Sequence, residues 1–283
     1  MPDFDDAEAF LALSNNVRLR SYPHLQPLVP DVQAGYEQYA AVGGQPGLVH
    51  NWAVSPAVAK LLKGHYASPP QDLAHLAKMR ESSEHLVCPM CGSMHSGTLD
   101  HYLPKEPFPV FAIFSKNLVP ACKCNTRRGE VVMGADANER VLHPYFDACL
   151  DERLIGAQFG DLGDVPRVSI ALMVPDTHPQ YSAIAFHVKT IIERSAIRRY
   201  LAARWSKFFL KPSLVVRALE KNVSEEGEVE AILHKERQAF DELHGSKNNW
   251  NSIFISGLLH PEAISWLTQR LSAPGRVPDS ALR

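Results

Sequence analysis

CPMCGSMHSGTLDHYLPKEPFPVFAIFSKNLVPACKCNTRRGE, residues 88–130, gathers four of the five cysteines of the chain. The same segment carries an Asp-His pair at Asp100 and His101, two isolated amides at Asn117 and Asn125, and the cations Arg127 and Arg128 before Gly129. Soft ligands, a base, amides and guanidinium groups fall within one short stretch of an otherwise ordinary chain. Two outcomes fit that crowding: a metal-stapled structural knot, or an active site.

The surrounding composition narrows the setting. The 283 residues are 45% hydrophobic and 21% charged, an ordinary globular balance that buries a core without covalent help. A net charge of -2 neither requires nor excludes a nucleic-acid partner, because local clustering decides that. The sequence has no apolar run of about 18 residues, so no membrane span is expected. MPDFDDAEAF, residues 1–10, lacks the basic and apolar regions of a signal peptide, so the chain is expected to stay in the cytoplasm. Thiols stay reduced there, so paired cysteines read as metal ligands rather than disulfides.

Outward from the central segment, the chain divides into three regions, 1–85, 86–150 and 151–283. In the first, DDAEAFLAL, DVQAGYEQYAAV, SPAVAKLLKGHY and QDLAHLAKMRES carry apolar residues at helical spacing. Asp31 is placed to cap the second helix, and Ser55-Pro56 suits the cap and first turn of the third. In the middle region TLDHYL reads as a short strand, and NLVPACKCNTRRGE as a turn entering a helix. Further on, RVSIALMV and SAIAFHV read as paired strands joined by PDTHPQY. A long helix over about 189–210, a helix over SEEGEVEAILHKERQAFDEL and a short one over HPEAISWLTQRL follow. The expected fold is α+β: a central zinc-stapled module flanked by a helical N-terminal region and a strand-plus-helix C-terminal region.

Cys88 and Cys91 form a C-x-x-C, the spacing that lets two thiolates meet one tetrahedral zinc from a tight turn. Cys122 and Cys124 supply a second pair as C-x-C. Unligated buried thiols are the plain alternative, and Cys149 reads as such a core residue. His101 is the natural general base, since imidazole titrates near neutrality.

Cys88-x-x-Cys91, Leu99-Asp100-His101-x-x-Pro104-Lys105, Asn117-Leu118-Val119-Pro120 and Cys124-Asn125-x-x-Arg128-Gly129, in that order, resemble the HNH endonucleases of the ββα-metal class. The resemblance covers about residues 86–132. It implies His101 as general base, and Asp100 and Asn125 as oxygen ligands of a catalytic Mg²⁺ or Mn²⁺. It further implies that Asn117 orients the His101 ring and braces the loop, and that the cysteines hold a structural zinc. Asp100 and His101 are adjacent on a strand, so they meet around one substrate only if the strand twists or bulges. The family's second pair is C-x-x-C. With Cys124-Asn125 in register, the other ligand position falls on Ala121, so either Cys122 reaches the zinc through a distorted turn, or His95 or another group completes the site.

Lys105, Arg127 and Arg128 are candidates for phosphate contact, or else part of a solvated face. His143, Tyr145 and Asp147 read as fixing the chain where it leaves the cysteine segment, with an extended cleft as the alternative. KTIIERSAIRRYLAARWSKFFLKPSLVVRALEK holds nine Lys or Arg against two Glu. Ile197, Leu201, Trp205 and Phe208 trace its apolar face, and Arg198 and Arg204 belong to a basic stripe that suits a phosphate backbone. Pairing of those cations with acids is the alternative.

The function expected is metal-dependent hydrolysis of DNA, with an HNH ribonuclease or a non-catalytic zinc module binding nucleic acid or protein as alternatives. By analogy with bacterial HNH proteins of this layout, the setting is phage defence beside an ATPase or other defence-system partner.

Overall fold

The computed structural model describes residues 1–83 and 87–283; the expected 85/86 boundary lies outside the described residues. The chain is mixed α+β, with small two-stranded sheets. Among the described residues, no helix is long and apolar enough to cross a membrane. Two compact units emerge. The first comprises Met1–Met90, His95–Ala148 and Ser182–Ile191; the second comprises Cys91–Met94, Cys149–Tyr181 and Ile192–Arg283.

In the first unit, α1 (Asp6–Asn15) starts where Asp5 accepts the Glu8 amide. The second helix, α2, runs over Val29–Ala41, three residues earlier than an Asp31 cap requires. Pro30 takes its first turn instead, where the missing N–H costs nothing. At α3 (Pro56–Ala67) the expected cap is present, with the Val58 amide donating to Ser55 Oγ. Helix α4 spans Ala74–Ser83.

These helices enclose the central module. Strand β1 (Thr98–His101) pairs antiparallel with β2 (Leu118–Ala121), setting His101 opposite Leu118. The five-residue helix α5 (Lys123–Arg127) follows directly. From α2, Tyr36 stacks on Phe114 at 4.1 Å and Tyr39 tilts against Phe111 at 5.1 Å. The Ser115 backbone amide and hydroxyl both donate to Asp6 of α1, at 3.0 and 2.5 Å. Gly44, in the left-handed region, permits a close backbone approach: a Cβ there would meet His143 and Tyr39 at 2.8 Å.

In the second unit, β3 (Ile155–Gly160) and β4 (Arg167–Leu172) form an antiparallel pair. The expected partner of β4, SAIAFHV, is instead helical: α6 covers Tyr181–His187. A short apolar run cannot be assigned to strand or helix by period alone, and β4 is satisfied by the preceding segment. The long helix expected from about 189 is interrupted by a wide π turn over Val188–Ile192, and α7 begins at Ile197 and ends at Leu210.

Helix α8 covers Glu226–His244. Beyond it, α9 (Trp250–Leu258) is buried along its whole length and packs on β3, where Gly257 meets Ala157. The last helix, α10, spans Pro261–Leu271. Ile197, Leu201, Trp205 and Phe208 are all buried, as the apolar face of α7 predicts. They join Phe159, Phe254 and Trp266 in an aromatic core, with Trp205 4.7 Å from Phe159.

Candidate functional site

Cys88, Cys91, Cys122 and Cys124 bring their sulfurs within 4.8 Å of one another. Cys88 Sγ and Cys124 Sγ lie 3.7 Å apart. Tetrahedral zinc with bonds of about 2.3 Å places its sulfurs about 3.8 Å apart, so the cluster fits such an ion. The C-x-C pair therefore does reach the cluster. Cys122 caps α5: its Sγ accepts the Cys124 amide at 3.3 Å, while its own amide donates to Cys88 Sγ at 3.4 Å. Backbone amides aimed at sulfur favour thiolate over thiol. Around Cys91, the Trp250 indole donates to the Cys91 carbonyl at 2.7 Å and the Trp250 amide to Gly92 at 3.0 Å. Cys149 is buried and outside the cluster.

Between the two cysteine pairs in sequence, β1 presents Asp100 and His101. The Asp100 side chain curls forward, so its Oδ1 accepts the His101 amide at 2.8 Å and stands 3.8 Å from His101 Nδ1. The two neighbours thus meet without a bulge in the strand pairing, which runs unbroken from Thr98 to His101. Burial pushes the Asp100 carboxyl up, but hydrogen bonds from His101 and Asn125 outweigh it and hold the group below the usual carboxylate range.

His101 is 4% exposed. Its Nε2 lies 2.9 Å from the Ala112 carbonyl, which can only accept, so Nε2 carries the proton and donates. In the neutral ring, Nδ1 then carries the lone pair, on the Asp100 side. The ring also rests on Tyr66 of α3 at 4.2 Å.

Asn117 is fully buried, and its amide is saturated. Nδ2 donates to Leu103 O and Phe111 O at 3.1 and 3.0 Å, while Oδ1 accepts from Leu103 N at 2.7 Å and Tyr39 Oη at 3.0 Å. It closes the loop that carries Ala112. Its effect on the His101 ring runs through that loop, since its own side chain contacts the loop backbone.

Asn125 Nδ2 donates to His101 O at 3.0 Å, and its Oδ1 accepts from Arg128 Nε at 2.7 Å. Arg128 differs from a phosphate-facing position. It is buried, and its guanidinium donates to His101 O at 3.0 Å, Tyr102 O at 2.5 Å and Val131 O at 2.9 Å. Desolvation lowers its pKa, and the guanidinium serves as an internal clamp on the end of β1. Arg127 is exposed and Lys105 half-buried.

The His143–Asp147 segment is built as a brace. Arg140 pairs with Asp147 through two bonds of 2.6 and 2.5 Å, and Asp147 also accepts the His143 amide at 2.6 Å. His143 Nδ1 accepts from Tyr145 N at 3.1 Å, so Nε2 holds the proton and donates to Tyr39 Oη at 3.0 Å. Burial depresses the His143 pKa to about 3, keeping the ring neutral.

In the basic stretch, Arg198 is exposed and paired with Glu193 at 3.0 Å. Arg204 lies over Phe240 and Phe254, 5.5 and 5.8 Å from their ring centres, which sets it on aromatic rings rather than along an open stripe. The sequence reading missed Tyr39, Tyr66, Arg80 and the Ala112 carbonyl. No local pattern marks them, because their roles arise from segments distant in the chain.

No family model and no solved structure matches the chain. One stretch of 62 residues, 21% of the chain, is 37% identical to Protein ea31 of Escherichia phage lambda. The match spans 21% of that protein's own length.

Proposed function

We propose that the central module is a metal-dependent endonuclease of the HNH type that hydrolyses DNA phosphodiester bonds, with His101 as general base. The observation that carries this reading is the state of the His101 ring. The Ala112 carbonyl accepts from Nε2, so the neutral ring offers Nδ1 to take a proton from water beside the Asp100 carboxylate.

Asp100 and Asn125 would hold a divalent cation. The donors fit a hard ion: Asp100 is favoured in its charged form, and Asn125 Oδ1 keeps a second lone pair beyond the one Arg128 uses. When bound, such an ion supplies Lewis-acid stabilisation of charge on the phosphate and leaving oxygen. Asn117 and Arg128 fix the loop and the strand end that present the base and the ligands, which pre-organises the site. Arg127 and Lys105 are the candidate phosphate contacts of the module. The zinc cluster holds the scaffold, and a phage-defence setting with an ATPase partner rests on the family resemblance.

The test is cleavage of plasmid DNA with Mg²⁺ or Mn²⁺, and of RNA in parallel, by wild type and His101→Ala with equal zinc content. Wild-type cleavage with a loss of about 10²- to 10⁴-fold in the variant is expected. Cleavage of RNA alone moves the reading to a ribonuclease. Binding of nucleic acid without cleavage by either protein moves it to a non-catalytic zinc module.

A further inference from the structure

Helix α3 presents two different sides. One is turned to the central module: Lys63 pairs with Glu106, and Tyr66, with Arg80 and Lys105 over its ring, meets the His101 ring at 4.2 Å. At about 3.6 residues per turn, Ala57, Leu61 and Gly64 fall on the other side. There they floor a cavity of about 460 Å³, walled opposite by the segment that carries Arg20 and His24. That wall is fixed by its own bonds. Leu25 is buried and its amide donates to the Ser21 carbonyl at 3.2 Å, while Asn16 donates to Asp72 at 2.7 Å. The cavity is therefore pre-formed, and its volume falls in the range of about 300–1,000 Å³ found for small-molecule sites. All of it belongs to the first unit.

Two features separate this cavity from ordinary surface. The first is a glycine. Gly64 sits in the third turn of a twelve-residue helix, where glycine is less stable than alanine. Nothing local requires it: its backbone is outside the left-handed region, and a Cβ there would meet no atom within 4 Å. What a side chain at 64 would occupy is the cavity. The second feature is charge. Arg20 and Lys60 both line the cavity, and no acid does. Neither cation has a hydrogen bond or ion pair among the described residues. His24 and His65 add imidazoles to the lining. Burial lowers the His65 pKa, so the permanent charge comes from Arg20 and Lys60.

We infer that this cavity binds a small aromatic phosphomonoester, its ring on the Ala57–Leu61–Gly64 stripe and its phosphate held by the cations Arg20 and Lys60 of the lining. The small residues at 57 and 64 keep the stripe flat enough for a ring. A phosphomonoester carries about two negative charges near neutrality, which matches the two cations. A guanidinium engages it through paired donors and an ammonium as a point charge. The site is independent of the nuclease reading, since it lies on the side of α3 turned away from His101.

Isothermal titration calorimetry of the full chain with phenyl phosphate and with AMP tests this, with inorganic phosphate and benzoate as controls. At least one ester is expected to bind about 10-fold or more tighter than either control, because only the esters use both the floor and the cations. Arg20→Ala and Lys60→Ala are each expected to weaken that binding roughly 3- to 10-fold, an effect that shrinks as salt rises. Gly64→Leu decides between a site and a bare patch of charge. It places a strong helix former where there is room for a side chain, so Tm should hold or rise while binding is lost. Binding of neither ester overturns the inference. So does inorganic phosphate or benzoate binding as tightly as the esters, or Gly64→Leu binding them like the parent. A short DNA duplex that loses affinity in Arg20→Ala and Lys60→Ala, with no binding of either ester, assigns the groove to nucleic acid and overturns it too.

Discussion

Each of the two units has its own kind of core. The first has a polar lattice at its centre: Asn117, Asn125, Arg128, Arg140, His143, Asp147 and His187 are all buried. The second is centred on rings, with Phe159, Trp205, Phe208, Phe254 and Trp266 packed edge to face or tilted. Apolar packing tolerates substitution if volume is kept. A saturated polar lattice does not, because each lost partner strands a buried donor or acceptor. The candidate chemistry sits in the first kind of core. A side chain there is oriented by directional bonds to a resolution that dispersion forces do not supply.

Removing a metal ion held by the four cysteines should widen that contrast most. Chelation, or Cys124→Ser, is expected to cost on the order of 10 kcal/mol of metal-linked folding free energy. Hydrogen exchange should show β1, β2 and α5 losing protection while α7 and α10 keep theirs. Equal loss in both cores would break the comparison.

Substitution within each core comes next. Asn117→Ala and Phe254→Ala should each cost about 3 to 5 kcal/mol, the first through stranded partners and the second through a cavity. Volume restoration separates them. In denaturant melts, Phe254→Leu should recover most of the loss, whereas Asn117→Leu should recover little, since Leu103 N and O stay unpaired and Phe111 O and Tyr39 Oη each lose one of two partners.

A pH series gives a smaller, graded effect. Burial holds the folded-state pKa of His143 near 3 and that of His187 near 4, against about 6.5 when unfolded. Above about pH 6.5 neither state carries these protons, and the contribution is flat. Between about pH 6.5 and pH 4 the unfolded chain binds protons that the folded chain refuses, so stability falls as pH falls. The slope approaches about 1.4 kcal/mol per pH unit for each histidine. Every fully buried histidine among the described residues lies in the first unit. Acid should therefore open that unit first by hydrogen exchange, and His143→Gln should remove about half of the slope. Smallest is Ser55→Ala at the α3 cap, expected to cost about 1 kcal/mol by thermal melting.

Local patterns made part of this legible. Ser55-Pro56 announces the α3 start because a cap and a first-turn proline act within one turn. The buried face of α7 follows from spacing alone. The four cysteines announce their cluster through pairing, although the C-x-C left its fourth member open until Cys122 was seen capping α5. Patterns failed where period was ambiguous. SAIAFHV alternates like a strand yet folds as α6. Helix α9 is buried on every side, Asn251, Ser252 and Ser256 included, so no solvent-facing stripe marks it in the sequence.

What the sequence by itself determined is the inventory and its order: which segment holds the soft ligands, the acid-base pair and the amides, and which helices carry apolar faces. Those follow from interactions that close within a few residues. The tertiary structure alone decided the state of each group. It put the Ala112 carbonyl on His101 Nε2, Tyr39 on Asn117, and Tyr66 with its two cations beside His101. It also turned Arg128 inward, away from any phosphate. Each of these depends on directional bonds or ring contacts between side chains brought together by folding, and on the loss of water around them, which no local spacing encodes.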